Sequence, residues 1–141
     1  MRACLPLVAT ALLGCRDATS PRDEIALHRA RWTAHAVTSY RYDYELTGFF
    51  IRYAGIPVRV QVRDGVVQAA TDASTGQPLD APLTQWPTVD QLFDDAARSA
   101  SAGTLRAVRF DPTFDYPTEI DIDGPPDASG AMHASGLVPV R

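Results

Sequence analysis

The stretch Leu105–Asp123, LRAVRFDPTFDYPTEIDID, leaves its backbone the least freedom of any in the chain. Val108 and Phe110 close one run, and Ile120 and Ile122 alternate with Glu119, Asp121 and Asp123 in a second. That period of two is the pattern of strands. Between the runs stand Asp111-Pro112 and Tyr116-Pro117. A proline ring crowds the backbone of the residue before it and drives that residue towards extended geometry. Two residues so restricted, with Phe114 lying between them, predict a stiff aromatic corner joining two strands.

Upstream, Ser39–Thr47 places Tyr40, Tyr42, Tyr44 and Leu46 on one side of a strand and Arg41, Asp43 and Glu45 on the other. The tyrosine row reads as a sheet face turned inward rather than as a stacking platform, since alternation and strand propensity already account for it. Val58, Val60 and Val62 alternate with Arg59, Gln61 and Arg63, and Asp64-Gly65 supplies a two-residue hairpin turn. Pairing Arg63 with Val66 sets Val62 against Val67 and Val60 against Ala69. Arg59 and Arg63 then share a face with Asp43 or Glu45, as cross-strand charge pairs.

Two helices are marked by their ends. Ser20 as N-cap, Pro21 at the first position and Asp23-Glu24 in the first turn open one that runs to about His35. His28 and His35 are two turns apart on it, roughly 10 Å along the axis, which is far for one metal ion. The second opens with the capping box Thr88-Val89-Asp90-Gln91, lines Val89, Leu92, Phe93, Ala96 and Ala100 along one face, and stops at Gly103. Thr71–Trp86 reads as a surface loop, and Gly124–Arg141 as a loop ending in a short edge strand at Leu137–Val140. The expected order is α-β-β-β-α-β-β with a sixth strand at the tail. This is an α+β two-layer sandwich, an antiparallel sheet of five or six strands with two helices on one face. The other face, with Arg41, Asp43, Glu45, Arg59 and Gln61, is expected to be wet.

The first residues, MRACLPLVATALLGC, join a positive Arg2 to an apolar run and a small residue before Cys15. The run Ala3–Leu13 is shorter than the about 20 residues that span a bilayer as a helix and suits a secretory signal. Leu12-Leu13-Gly14-Cys15 resembles the lipobox of bacterial lipoproteins, which implies a diacylglycerol on Cys15 and removal of residues 1–14. The division that follows is a signal peptide over 1–14, a lipidated tether over 15–19 and one domain over 20–141. A diacylglycerol brings two acyl chains, enough for stable anchoring.

Cys4 and Cys15 are the only cysteines, so the domain carries no disulfide, thiolate metal site or nucleophilic cysteine. The formal charge of −4 gives no basic footprint for nucleic acid. The expected partners are the membrane, through the lipid, and an unknown protein or small ligand. No residue pattern demands a cofactor or names a catalytic residue. Gly48–Gly55 brackets Phe49, Phe50 and Ile51, and with Phe114 and Tyr116 these form the candidate binding surface. Asp121, Asp123 and Asp127 are candidates for a cation, because Asp121-x-Asp123-Gly124 begins like a calcium loop, although it lacks the later glutamate.

Trp32, Tyr40-x-Tyr42, Val60-x-Val62-x-x-Gly65-x-Val67, Thr88-Val89-x-x-Leu92-Phe93 and the run from Phe110-Asp111-Pro112 through Asp115-Tyr116-Pro117-Thr118 to Asp123 resemble a domain-of-unknown-function family of small exported bacterial proteins, often lipoproteins. The chain departs from that pattern at Phe110, where tyrosine is usual, at Asp115, where glycine is usual, and in lacking a cysteine pair around Phe49–Tyr53. The resemblance implies an envelope location and supplies no activity. The function expected is therefore a non-catalytic binding or accessory module, exported and lipid-anchored at the cell envelope. The alternative is a carboxylate-based cation or small hydrolytic site in the acidic C-terminal third.

Overall fold

A computed structural model describes residues 19–48, 52–125 and 129–141. Helix α1 spans Pro21–Ala34, where the Ser20 hydroxyl accepts a bond from the Asp23 amide and Pro21 occupies a position that needs no donor. Ile25 and Trp32 are its buried residues. Strands β1 (Tyr40–Thr47), β2 (Val58–Arg63) and β3 (Val66–Asp72) follow, then α2 (Val89–Ala102), β4 (Leu105–Phe110), β5 (Pro117–Ile122) and β6 (Gly130–Pro139). The six strands form one antiparallel sheet in the order β3-β2-β1-β6-β5-β4. The α+β sandwich expected from the sequence is the observed fold.

The inward face of the sheet is the one the alternation gave. Tyr40, Tyr42, Tyr44, Val58, Val60 and Val62 are buried, while Arg41, Arg59, Gln61 and Arg63 are exposed. Burying a Val or Leu side chain is worth about 1.5–3 kcal/mol, so this one face commits three strands to the core. Above it lie Trp32, Leu92, Phe93 and Ala96 from the helices. The capping box of α2 is formed in both directions, and Gly103 ends the helix at φ 73°. The Asp64-Gly65 turn has both residues at positive φ, as a hairpin with the sheet's twist requires.

Three expectations change. Val60 pairs with Ala70, not Ala69, because a bulge between Gln61 and Val62 gives β3 one extra residue. The tail is not a short edge strand. Gly130–Pro139 is the longest strand and lies between β1 and β5, near the middle of the sheet. Its register shifts opposite Arg41–Asp43, and Gly136 takes φ 62° there. That bulge puts the inward residues Ala134 and Leu137 three apart, which hides the period of two. Finally, the loop over Thr71–Trp86 is not all surface. Pro78 bridges to Thr71, Leu79 and Ala81 pack against the core, and Trp86 is 3 % exposed. This segment closes the part of the inward face beside α2. A single 3-10 turn at Leu83–Gln85 precedes Trp86.

Among the described residues no helix is long and apolar enough to cross a membrane.

Candidate functional site

The Asp-Pro…Tyr-Pro corner is as tight as the prolines predict. The Asp111 carboxylate accepts from the amides of Thr113 and Phe114, and the Asp111 amide donates to the Tyr116 carbonyl at 2.8 Å. Asp115 is left at φ 63°, a left-handed conformation that an aspartate tolerates. Its carboxylate meets three side chains of α1: His28 Nδ1 at 2.7 Å, Arg31 Nη1 at 3.6 Å and His35 Nε2 at 3.7 Å. Two histidines two turns apart thus converge on one acid lying between them, a meeting that helix spacing alone does not announce. Burial pushes the Asp115 carboxyl up, but the bonds to His28 and His35 and the charges of His28 and Arg31 outweigh it and hold it below the usual value. His28 stacks on Phe110 at 3.9 Å and His35 meets Phe114 edge-on at 5.5 Å. The cluster clamps the second half of α1 to the corner.

Of the predicted binding surface, Phe114 and Tyr116 lie among the described residues. Tyr116 is 2 % exposed and belongs to the core, and Phe114 is half-buried against it. Phe49, Phe50 and Ile51 lie outside the described residues, as do Cys15 and Asp127. Glu119, Asp121 and Asp123 are taken up by arginines. Arg106 reaches Asp121 at 3.6 Å and Asp123 at 2.8 Å, and Arg109 holds Glu119 at 3.2 Å. Among the described residues no three metal-ligating side chains are placed to share an ion. On the wet face Arg59 grips Asp43 with two bonds, at 2.9 and 3.0 Å.

A groove that the sequence does not advertise runs between α2 and the segment Thr84–Pro87. Its larger part, about 330 Å³, has Tyr44 in its wall together with Gln85, Gln91, Asp94, Asp95 and Arg98. The three tyrosines of β1 differ here. The Tyr40 hydroxyl accepts the Val89 amide at 2.8 Å, and the Tyr42 hydroxyl donates to the Pro87 carbonyl. These two bonds fix where α2 begins. The Tyr44 hydroxyl has no hydrogen-bond partner among the described residues, although the residue is only 4 % exposed. Burial, and then the charge of Asp95, raise its phenol well above the ordinary range. Burial likewise raises the Asp95 carboxyl, which Arg98 at 2.9 Å offsets only in part. Asp94 pairs with Arg29 of α1 at 2.7 Å.

A smaller hollow of about 220 Å³ adjoins it, sharing Thr84 and Gln91, with Val66, Leu83 and Trp86 in its wall. The indole N–H of Trp86 is buried and unpartnered among the described residues. Trp86, standing just before the capping threonine, is the signal in the sequence that could have pointed here.

Neither a curated protein nor a solved structure matches the chain. A family model does, over residues 24–134, which include the tyrosine strand, the groove and the aspartate-proline corner. The chain belongs to the Family of unknown function (DUF6174).

Proposed function

We propose that this chain is a bacterial envelope lipoprotein whose domain, residues 20–141, serves as a non-catalytic binding module held close to a membrane. The observation that carries the binding role is the Tyr44 groove. A side chain 4 % exposed, with its hydroxyl uncommitted among the described residues, lines a recess whose other walls are amides, a guanidinium and carboxylates. The hydroxyl is not sealed off, since among the described residues only the Trp86 indole N–H is a fully buried side-chain group without a partner; at the groove wall it can exchange a water for a hydrogen bond to a ligand.

The anchoring role rests on Cys15 and the residues before it. The stretch from Cys15 to the N-cap Ser20 reaches at most about 17 Å when extended. Ser20 and Pro21 stand beside Gly103 and Leu105, at the end of the molecule opposite the Asp115 cluster. A lipid at Cys15 would therefore hold that end towards the bilayer and leave the corner pointing away.

Two measurements test the two halves. Cys15→Ser is expected to abolish lipid labelling and move the protein from the membrane fraction to the soluble one; unchanged fractionation at an unchanged processed mass would overturn the anchor. A photo-crosslinking residue at position 84 in producing cells is expected to capture an adduct, while the same residue at position 61, on the wet face, captures none. Equal yields at both positions, or none at 84, would overturn the binding role.

A further inference from the structure

We infer that the Tyr44 groove takes a neutral polyhydroxylated ligand, a single sugar ring standing free or at the end of a glycan chain. The inference rests on the reading of the chain as a binding module and names the class of its ligand. Volume sets the scale. The larger recess, about 330 Å³, is near the lower bound of small-molecule sites, roughly 300–1,000 Å³, which matches the size of one ring.

The polar groups set the chemistry. Asp94 and Asp95 can only accept hydrogen bonds, and Arg98 can only donate. The Gln85 amide and the Tyr44 hydroxyl can do both. The side-chain oxygen of Gln91 is already spent on the Thr88 amide, which leaves its NH₂ group to donate. A ligand that satisfies such a mixed set must offer donors and acceptors at short intervals around a small body, as the hydroxyls of a sugar do.

Charge excludes the nearest competitors. Each carboxylate in the wall already has its own guanidinium, Arg29 on Asp94 and Arg98 on Asp95, both within 3 Å. Among the described residues the wall is thus left with no unpaired cation to hold a phosphate and no unpaired carboxylate to hold an amine. The adjoining hollow adds an apolar border, with Val66 59 % and Leu83 41 % exposed. That border suits the C–H face of a pyranose. It also suits the methyl of an acetamido substituent.

The test uses the mature lipoprotein in a detergent whose head group is not a sugar. Saturation-transfer NMR and calorimetry are run with glucose, N-acetylglucosamine and its β-1,4-linked trimer, with inorganic phosphate and spermidine as charged probes. At least one sugar is expected to give saturable binding, and Tyr44→Phe is expected to weaken it about fivefold, the worth of one hydrogen bond. Gln61→Ala on the wet face should leave it unchanged. Tighter binding of the trimer than of the free ring would assign a chain end, and equal binding a free sugar. No sugar binding, binding that Tyr44→Phe leaves untouched, or preference for phosphate or spermidine would overturn the assignment. If sugars fail while the position-84 crosslink still captures an adduct, the ligand class is wrong and the binding role stands. If both fail, both fall.

Discussion

Tyr40, Tyr42 and Tyr44 carry the same hydroxyl into three different surroundings, and substitution should separate them. Tyr40→Phe strands the buried Val89 amide and Tyr42→Phe strands the half-buried Pro87 carbonyl. Each is expected to cost about 1–3 kcal/mol in denaturant unfolding. Tyr44→Phe removes an oxygen with no partner among the described residues and should leave the unfolding midpoint unchanged or raise it. A loss at Tyr44 as large as at Tyr42 would show that its hydroxyl is structural. Asp115 behaves differently. Asp115→Asn keeps a side chain that tolerates positive φ but removes the charge that His28 and Arg31 meet. We expect it to lose about 1–2 kcal/mol at neutral pH. A carboxyl held below its ordinary 3.8 takes up its proton later in the folded chain than in the unfolded one. Its contribution is therefore whole above that value and is lost as the pH falls through the lower folded value. Urea melts of the two proteins at pH 7 and pH 3 should converge at the acid end. A gap that widens there would reverse the sign.

At the scale of elements, what could be read in advance depended on whether one strand or helix spoke for itself. The α2 cap, its apolar stripe and its glycine stop all lie within sixteen consecutive residues, Thr88–Gly103, and the Asp64-Gly65 hairpin is equally local. Thr88→Ala should therefore cost about 1 kcal/mol, read as a lower unfolding midpoint; an unchanged midpoint would mean that the box contributes nothing. The register of β3 and the place of β6 were not legible, because each bulge resets the inward phase partway along a strand. The Gly136 bulge also sits among small residues, Ala131, Ala134 and Ser135, whose strand signal is weak. The groove was hidden for a further reason. Its walls come from β1, the turn before Trp86 and α2, and the mark of Tyr44 is a partner it lacks. Glycines give a second prediction at this scale. A Cβ at Gly48 would stand 2.9 Å from the Gly130 Cα, whereas at Gly55 it would meet nothing within 4 Å, and both have positive φ. Gly55→Ala should cost roughly 1 kcal/mol for backbone strain alone, and Gly48→Ala distinctly more. Equal losses in thermal unfolding would mean that the close approach of Gly48 to β6 is unimportant.

For the molecule as a whole, both helices, the central strands and Trp86 share one buried cluster. Heating is expected to give one cooperative transition, with calorimetric and van't Hoff enthalpies equal. Two resolved transitions would mean that the β2–β3 side and the β4–β5 side are separate units. The course of α1 has a mechanical corollary. The helix begins beside Gly103 and Leu105, with Arg22 bonded to the Ser101 carbonyl, and its far half is clamped by Asp115 beyond the other end of β4. On the anchoring proposed above, a pull on the N-terminus would load that helix lengthwise, in shear, with the ion pairs of Arg29 and the His28 clamp yielding together. Hinged at its far end alone, the same helix would peel away one turn at a time under a much smaller force.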